Sequence, residues 1–413
     1  MWDLPWGAVR ISLLLQREPF GSILERTLSG FWSDRFGATY TVRWGHGHDG
    51  QDGRGESGHQ LWLMNSRLNA IFVPGADAGV FEPVRREYGR ALNPWVRPLQ
   101  WAYVQAASRG RTAAWLASPG MDVSPEVPNA TRLLVLGGNS RIRILDRAGG
   151  VAHVVTKDGF DAAGVARELA VRKLVGAAPE VVDVGSNGRW FTEEYMIGAP
   201  LNRLAQRQRA SEGLATAVAA LQDLHERTME AADPSAYAEG LVERLTTLVE
   251  SHPWLDEEAR THLGQQVEHA QTVLSQDARD DGFATVQSHG DFQHANILVG
   301  DARTWLIDWE HTGRRQRAYD PLVLALHSRF AGGFAGRLAA VLEAGRAPLL
   351  EGWPGLRWNE TRLRVQALAI FLLEELDFYL TEAANPLFYG PTPALETFRG
   401  ELPVALTALE RAA

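Results

Sequence analysis

The chain has 413 residues, of which 45% are hydrophobic and 22% charged, with a formal net charge of −9 and no cysteine. That length exceeds what a single hydrophobic core organises, so two or three domains are expected, with the composition of an ordinary soluble globular protein. The acidic balance argues against a nucleic-acid binder, which needs a basic face, and the missing cysteines exclude disulfides, thiolate metal sites and thiol nucleophiles.

Residues 1–20 lack a basic segment followed by a signal-length apolar run, and no stretch is apolar for long enough to cross a bilayer. A cytoplasmic location without a membrane partner is therefore expected. Residues 1–128 are rich in tryptophan, with Trp2, Trp6, Trp32, Trp44, Trp62, Trp95, Trp101 and Trp115. Short strands are predicted over 39–44 and 60–64, on either side of a glycine- and aspartate-rich loop at 45–55, and a helix over 94–116. Proline and glycine punctuate 118–128, which reads as a linker closing a separate small α+β domain of unknown role. In the loop, His46 and His48 form a His-x-His with Asp49, Asp52 and His59 nearby, a metal-ligating pattern, although the glycine-rich setting fits a mobile loop better.

Residues 129–198 carry alternating β-branched positions. Three consecutive antiparallel strands are predicted over 132–136, 141–146 and 151–157. They are joined by Gly137-Gly138-Asn139-Ser140 and Arg147-Ala148-Gly149-Gly150, both of turn composition. A helix over 162–175 follows, with Val165, Leu169, Val171 and Leu174 as its apolar stripe. Two further strands fit 181–184 and 190–195. Residues 199–413 are predicted to be mainly helical, with amphipathic stretches around 214–230, 240–250 and 362–379, interrupted by one β-like island at 296–308.

That island carries the chemistry. Asp291 sits in a polar loop, and Asn296 returns toward it five positions later. A hairpin over 297–307, turning at Gly300-Asp301, then brings Asp308 back beside Asn296, giving two oxygen ligands for a hard cation. Phosphoryl transfer needs such a set: a carboxylate for the attacking hydroxyl, oxygen ligands for magnesium, and a cation near the phosphates.

The ordered set His289-Gly290-Asp291, Asn296, Ile307-Asp308 and Tyr319-Asp320-Pro321 resembles that of the aminoglycoside phosphotransferase and choline kinase family, distant relatives of the protein kinases. The resemblance implies an α+β, two-lobed protein-kinase-like fold, with the lobes at 129–198 and 199–413. It implies ATP as donor, with GTP possible, and Mg2+ held by Asn296 and Asp308. Asp291 takes the catalytic role, and His289 and Asp320 brace its loop. Gly138, Asn139 and Ser140 are similar to the family's short phosphate loop. Lys157 stands where the phosphate-binding lysine is found, and Glu168 where its carboxylate partner is found. Residues 198–201 look like the hinge, so the backbone of Glu194, Tyr195 and Met196 is expected to meet the adenine; Glu193 stands where the family usually has an apolar residue. Acceptor recognition is implied for the later helical region, where Glu310, Glu374 and Asp377 suit an amine, with Glu375, Phe378 and Tyr379 nearby.

The function expected is transfer of the γ-phosphate to a hydroxyl of a small molecule: a sugar, amino sugar or amino alcohol. An aminoglycoside-resistance kinase is the nearest variant, and tryptophans stacking on sugar rings would favour a carbohydrate. A retired kinase fold serving as a nucleotide-binding scaffold is the alternative, opposed by retention of Lys157, Glu168, Asp291, Asn296 and Asp308 together. A metal-dependent hydrolase built on His46 and His48 ranks last. The acceptor and the oligomeric state stay open.

Overall fold

A computed structural model describes residues 9–45, 58–88, 95, 97–275, 282–344 and 347–413. The chain forms two compact units, Met1–Leu169 with Pro179–Ala199, and Ala170–Ala178 with Pro200–Ala413.

The first unit is built on one sheet. Its strands are β1 (Thr41–Trp44), β2 (Gln60–Asn65), β3 (Ala70–Phe72), β4 (Ser118–Ser124), β5 (Leu133–Gly137), β6 (Arg141–Asp146), β7 (Val151–Thr156), β8 (Val181–Val184) and β9 (Trp190–Glu194). They lie in the order β1-β4-β2-β3-β5-β6-β7-β9-β8. The period of two along a strand decides what each face meets. Leu133 and Val135 join Ile142, Ile144 and Val155 under helices α1 (Ile11–Arg17) and α2 (Phe20–Phe36). Leu134 and Leu136 point the other way, into a core shared with Phe72, Phe81 and Val104. All five residues of β5 are buried because both faces of the sheet are covered.

The separate domain expected over 1–128 is corrected by this sheet. β3 pairs with β5 through Ile71 and Val135, so the early strands continue the sheet of the later ones. Both residues are fully buried, and truncating Ile71 to alanine would cost about 2–5 kcal/mol at this seam. The stretch expected to be a linker is β4 at 118–124, paired with both β1 and β2. Its proline and glycine mark a register shift opposite Trp62 and Leu63 rather than a break. A Cβ on Gly120 would lie 2.9 Å from that of Met64, so this close approach needs glycine. Trp32 and Trp62 are buried against each other with ring centroids 5.6 Å apart, which makes them core rather than sugar-stacking surface. Trp95, Trp101 and Trp115 are exposed. His46, His48, Asp49 and Asp52 lie outside the described residues. His59 Nδ1 is 2.6 Å from Asp122 Oδ2.

The second unit is mainly helical. Its centre is the helix Thr361–Ala383, with sixteen of 23 residues buried. Around it pack Pro234–Ser251, Glu257–Ser275, Tyr319–Leu326, Phe334–Ala344 and Pro393–Ala412. A second core, with Leu221, Leu224, Phe292, Ile297, Leu306 and Trp309, lies beneath the predicted catalytic loop. Among the described residues no helix is long and apolar enough to cross a membrane.

Candidate active site

In the second unit, the strand Ala284–Ser288 delivers His289 to the buried start of the loop. The His289 amide donates to Asp320 Oδ2 at 2.8 Å. Its ring lies 3.0 Å from the Ile307 carbonyl through Nε2, and Nδ1 accepts from the Asp291 amide at 3.2 Å. Those partners fit a neutral ring protonated on Nε2, and burial, the largest influence, pushes its pKa down.

Gly290 has φ 85°. A Cβ there would sit 1.9 Å from the His311 carbonyl oxygen, so only glycine makes this turn. Its amide donates to Asp320 Oδ1 at 3.0 Å, and His225 Nε2 lies 3.1 Å from Oδ2. Burial works against the Asp320 charge, but the His225 hydrogen bond and charge and the loop amides outweigh it and hold its pKa down. Asp320 thus ties the loop to the first turn of the helix Tyr319–Leu326.

Asp291 is 7% exposed. Its Oδ1 accepts from Arg329 Nε at 2.7 Å, and its Oδ2 from Asn296 Nδ2 at 2.7 Å and Gln293 Nε2 at 3.0 Å. Burial alone would raise its pKa; the Arg329 guanidinium overrides that and holds it below the usual carboxylate range. Arg329 Nη1 also grips both oxygens of Glu375, at 2.9 and 2.7 Å, and Nη2 donates to the Gly290 carbonyl at 2.7 Å. The guanidinium stands 3.6 Å from the Phe378 ring centroid.

Asn296 donates its amide hydrogens to the carboxylate and to the carbonyl of Asp291, 2.9 Å away, which turns Asn296 Oδ1 to the other side. The hairpin Ile297–Val299 with Thr304–Leu306 pairs Ile297 with Leu306, and the Ile307 amide donates to the Asn296 carbonyl at 3.0 Å. Asp308 follows at once, half-buried and in the left-handed region (φ 68°, ψ 56°). An amide oxygen and a carboxylate are ligand types that magnesium takes, so Asn296 and Asp308 are the residues that could hold one.

The acidic residues expected at an acceptor site divide. Glu310 lies 3.5 Å from His311 Nε2, with Glu382 3.7 Å from Nδ1 and Phe378 edge-on at 4.9 Å. Burial opposes a charge on His311, but Glu382 and Glu310 prevail, and its pKa rises to about 9. Glu374 and Asp377 do not face an open surface, which corrects their acceptor role. Glu374 is buried and accepts from Tyr237 Oη at 2.6 Å, Gln316 Nε2 at 2.9 Å and the Gln316 amide at 3.0 Å. Asp377 is buried in an ion pair with Arg244. On a helix with most faces covered, charges survive only with partners.

In the first unit, Lys157 follows β7 and is fully buried. Its Nζ donates to Glu18 Oε1 at 2.5 Å and to the Asn139 carbonyl at 2.7 Å. Gly138 is buried, Asn139 exposed and Ser140 half-buried, and the Ser140 carbonyl accepts from the Lys157 amide at 2.9 Å. Glu168, expected beside Lys157, has Oε2 2.6 Å from Arg141 Nη2. Glu193 is buried with Arg143 Nη1 at 3.3 Å, which accounts for a charge at a usually apolar position. Of the three residues expected to meet adenine, the Glu194 and Tyr195 amides donate to the Glu180 and Gly150 carbonyls, both at 2.9 Å. Those two amides are thus engaged within the unit, and Met196 is buried.

Sequence reasoning missed Arg329 and Glu18, and set Glu375 among the acceptor-side acids rather than on Arg329. Arg329 and Glu18 sit at no fixed offset from the motif. Glu375 gave a signal in Glu374-Glu375 and Asp377 set within an apolar run, since carboxylates there must find buried partners.

Residues 140–358 match the model of the phosphotransferase enzyme family. No curated protein matches the chain. Similar solved structures include a choline/ethanolamine kinase family protein from Mesorhizobium loti, with 15% identity, a TM-score of 0.39, and coverage of 75% of this chain and 98% of that one. An ethanolamine kinase from Plasmodium vivax has 12% identity and a TM-score of 0.44, covering 81% and 95%. An ADP-bound aminoglycoside phosphotransferase has 12% identity and a TM-score of 0.38, covering 67% and 93%.

Proposed function

Since the chain belongs to the phosphotransferase enzyme family, we propose that it is an ATP-dependent small-molecule kinase that transfers the γ-phosphate to a hydroxyl of a sugar, amino sugar or amino alcohol. The observation that carries this reading is the bonding around Asp291. Three side-chain donors fix its carboxylate. An ionised carboxylate has about four lone-pair positions, so one is left to accept from an acceptor hydroxyl. With its pKa held down, Asp291 is a weak base that orients the hydroxyl and takes its proton as transfer proceeds. A loose phosphoryl-transfer transition state asks for no more than that.

Asn296 and Asp308 would hold magnesium, which when bound neutralises charge on the β- and γ-phosphates. Lys157 would hold the α- and β-phosphates, and the Met196 amide would donate to a ring nitrogen of the adenine. Glu310 and Glu382 around His311 support an acceptor bearing an amine. GTP is the alternative donor.

Calorimetry with ATP, with and without magnesium, followed by ATP consumption over a panel of sugars, amino sugars and amino alcohols, tests the proposal. Magnesium-dependent binding and consumption with one class of acceptor is the expected result. Binding without turnover across the panel would favour a retired nucleotide-binding scaffold, and no ATP binding at all would contradict both.

A further inference from the structure

Glu18 lies at the elbow between α1 and α2, far in sequence from Lys157 and outside the stretch that matches the family, 140–358. Both side chains are fully buried, and the ammonium and carboxylate meet at 2.5 Å. A buried lysine keeps its charge only with such a partner. We propose that Glu18 is a positioning residue of the nucleotide site, holding the Lys157 ammonium at the turn 137–140, with Arg17 ordering the turn itself. The inference rests on the kinase reading above.

Four contacts tie α1 and the residues just before it to that turn. Arg17 Nη1 donates to Asn139 Oδ1 at 2.8 Å and Nη2 to the Asn139 carbonyl at 3.1 Å. Arg17 Nη2 also donates to Glu18 Oε2 at 2.8 Å, so one carboxylate orients two cations. The Val9 amide donates to the Gly137 carbonyl at 2.9 Å. Leu14 packs so closely that a Cβ on Gly137 would come within 2.6 Å of its Cδ1. Ile11 and Leu14 are fully buried in the core beneath the sheet, which makes the elbow a fixed part of the unit.

On this proposal a phosphate oxygen of ATP would replace the Asn139 carbonyl that Lys157 Nζ now meets. Binding of ATP then exchanges one acceptor for another on the ammonium. Glu18 keeps its hold throughout, and Arg17 keeps the displaced turn. The phosphate thus meets a cation that is already oriented, which saves the cost of ordering a flexible lysine side chain.

The test is calorimetric ATP affinity of the full chain, with magnesium, for wild type, Glu18→Gln, Glu18→Asp, Lys157→Met and the double variant Glu18→Gln/Lys157→Met. Melting temperatures without ATP are measured beside it. Glu18→Gln should bind ATP about tenfold or more weakly. Glu18→Asp, which keeps the charge, should recover part of that loss. On the Lys157→Met background Glu18→Gln should cost nothing further, a coupling that a merely structural glutamate would not show. The proposal is overturned if Glu18→Gln binds ATP as wild type does, or more tightly, while Lys157→Met is weakened, or if the two losses simply add. Should Glu18→Gln fail to fold, Glu18→Asp and the double variant, which strands no buried charge, decide in the same way: a Glu18→Asp affinity equal to wild type, or a double variant weaker than Lys157→Met, overturns it. A Lys157→Met chain that binds ATP like wild type instead removes the role given to Lys157, and the positioning role goes with it.

Discussion

Arg329 and Asp291 form a buried ion pair, Nε to Oδ1 at 2.7 Å, and the same guanidinium closes on both oxygens of Glu375. One planar fork therefore links the loop carboxylate to the central helix of the second unit. Position 329 belongs to no part of the motif that led to Asp291, yet it fixes the direction in which Asp291 presents its remaining lone pair.

Arg329→Lys should keep the fold and lose about 10–100-fold in phosphotransfer, because an ammonium cannot span Asp291, Glu375 and the Gly290 carbonyl together. Arg329→Ala strands two buried carboxylates and should cost about 3–5 kcal/mol in urea denaturation. Wild-type turnover in the lysine variant would show that the fork does not orient Asp291.

Gly290→Ala should damage activity more than stability at distant points suggests. The added methyl meets the His311 carbonyl and the backbone already has positive φ, so the loop must shift. A loss of about 2–4 kcal/mol is expected by chemical denaturation, with turnover reduced at least about a hundredfold at temperatures where the variant remains folded. A variant with normal melting and normal turnover would contradict the strained turn.

His311 gives the protein a pH dependence of known sign. Its folded pKa of about 9 exceeds the ordinary 6.5, so the stability it contributes is complete below pH 6.5 and lost as pH rises toward 9. Burial leaves His153 at about 4 and Glu374 at about 7, so both have largely titrated before pH 8. Unfolding free energy should therefore fall by on the order of 2 kcal/mol between pH 7 and 9.5, and His311→Gln should flatten that slope. An unchanged slope in His311→Gln would assign it to other groups.

How much of this was legible in the sequence depends on the range of each interaction. The hairpin that returns Asp308 to Asn296 closes over a dozen residues, and turn chemistry at Gly300-Asp301 announces it. β5, β6 and β7 were likewise readable, since consecutive strands joined by glycine turns pair locally. The Ile71–Val135 pairing left no such mark, because strand pairing between distant segments depends on burial that only the assembled sheet provides. β4 was read as a linker for a related reason. Proline and glycine announce a turn in isolation, but at an irregular position in a strand they accommodate a register shift, and Met121 and Val123 still fill the core. Glu374 and Asp377 looked like an acidic surface, and the burial of their helix on most sides turned them into internal partners of Tyr237, Gln316 and Arg244.

The central claim is that Asp291 and Asp308 carry phosphotransfer. The direct measurement is release and transfer of labelled γ-phosphate from ATP to the acceptor found in the panel, for wild type, Asp291→Asn and Asp308→Asn, with melting temperatures recorded alongside. Loss of transfer by at least about a thousandfold in both variants is the predicted result, with ATP still bound by Asp291→Asn. Transfer within a few-fold of wild type in either folded variant would contradict it.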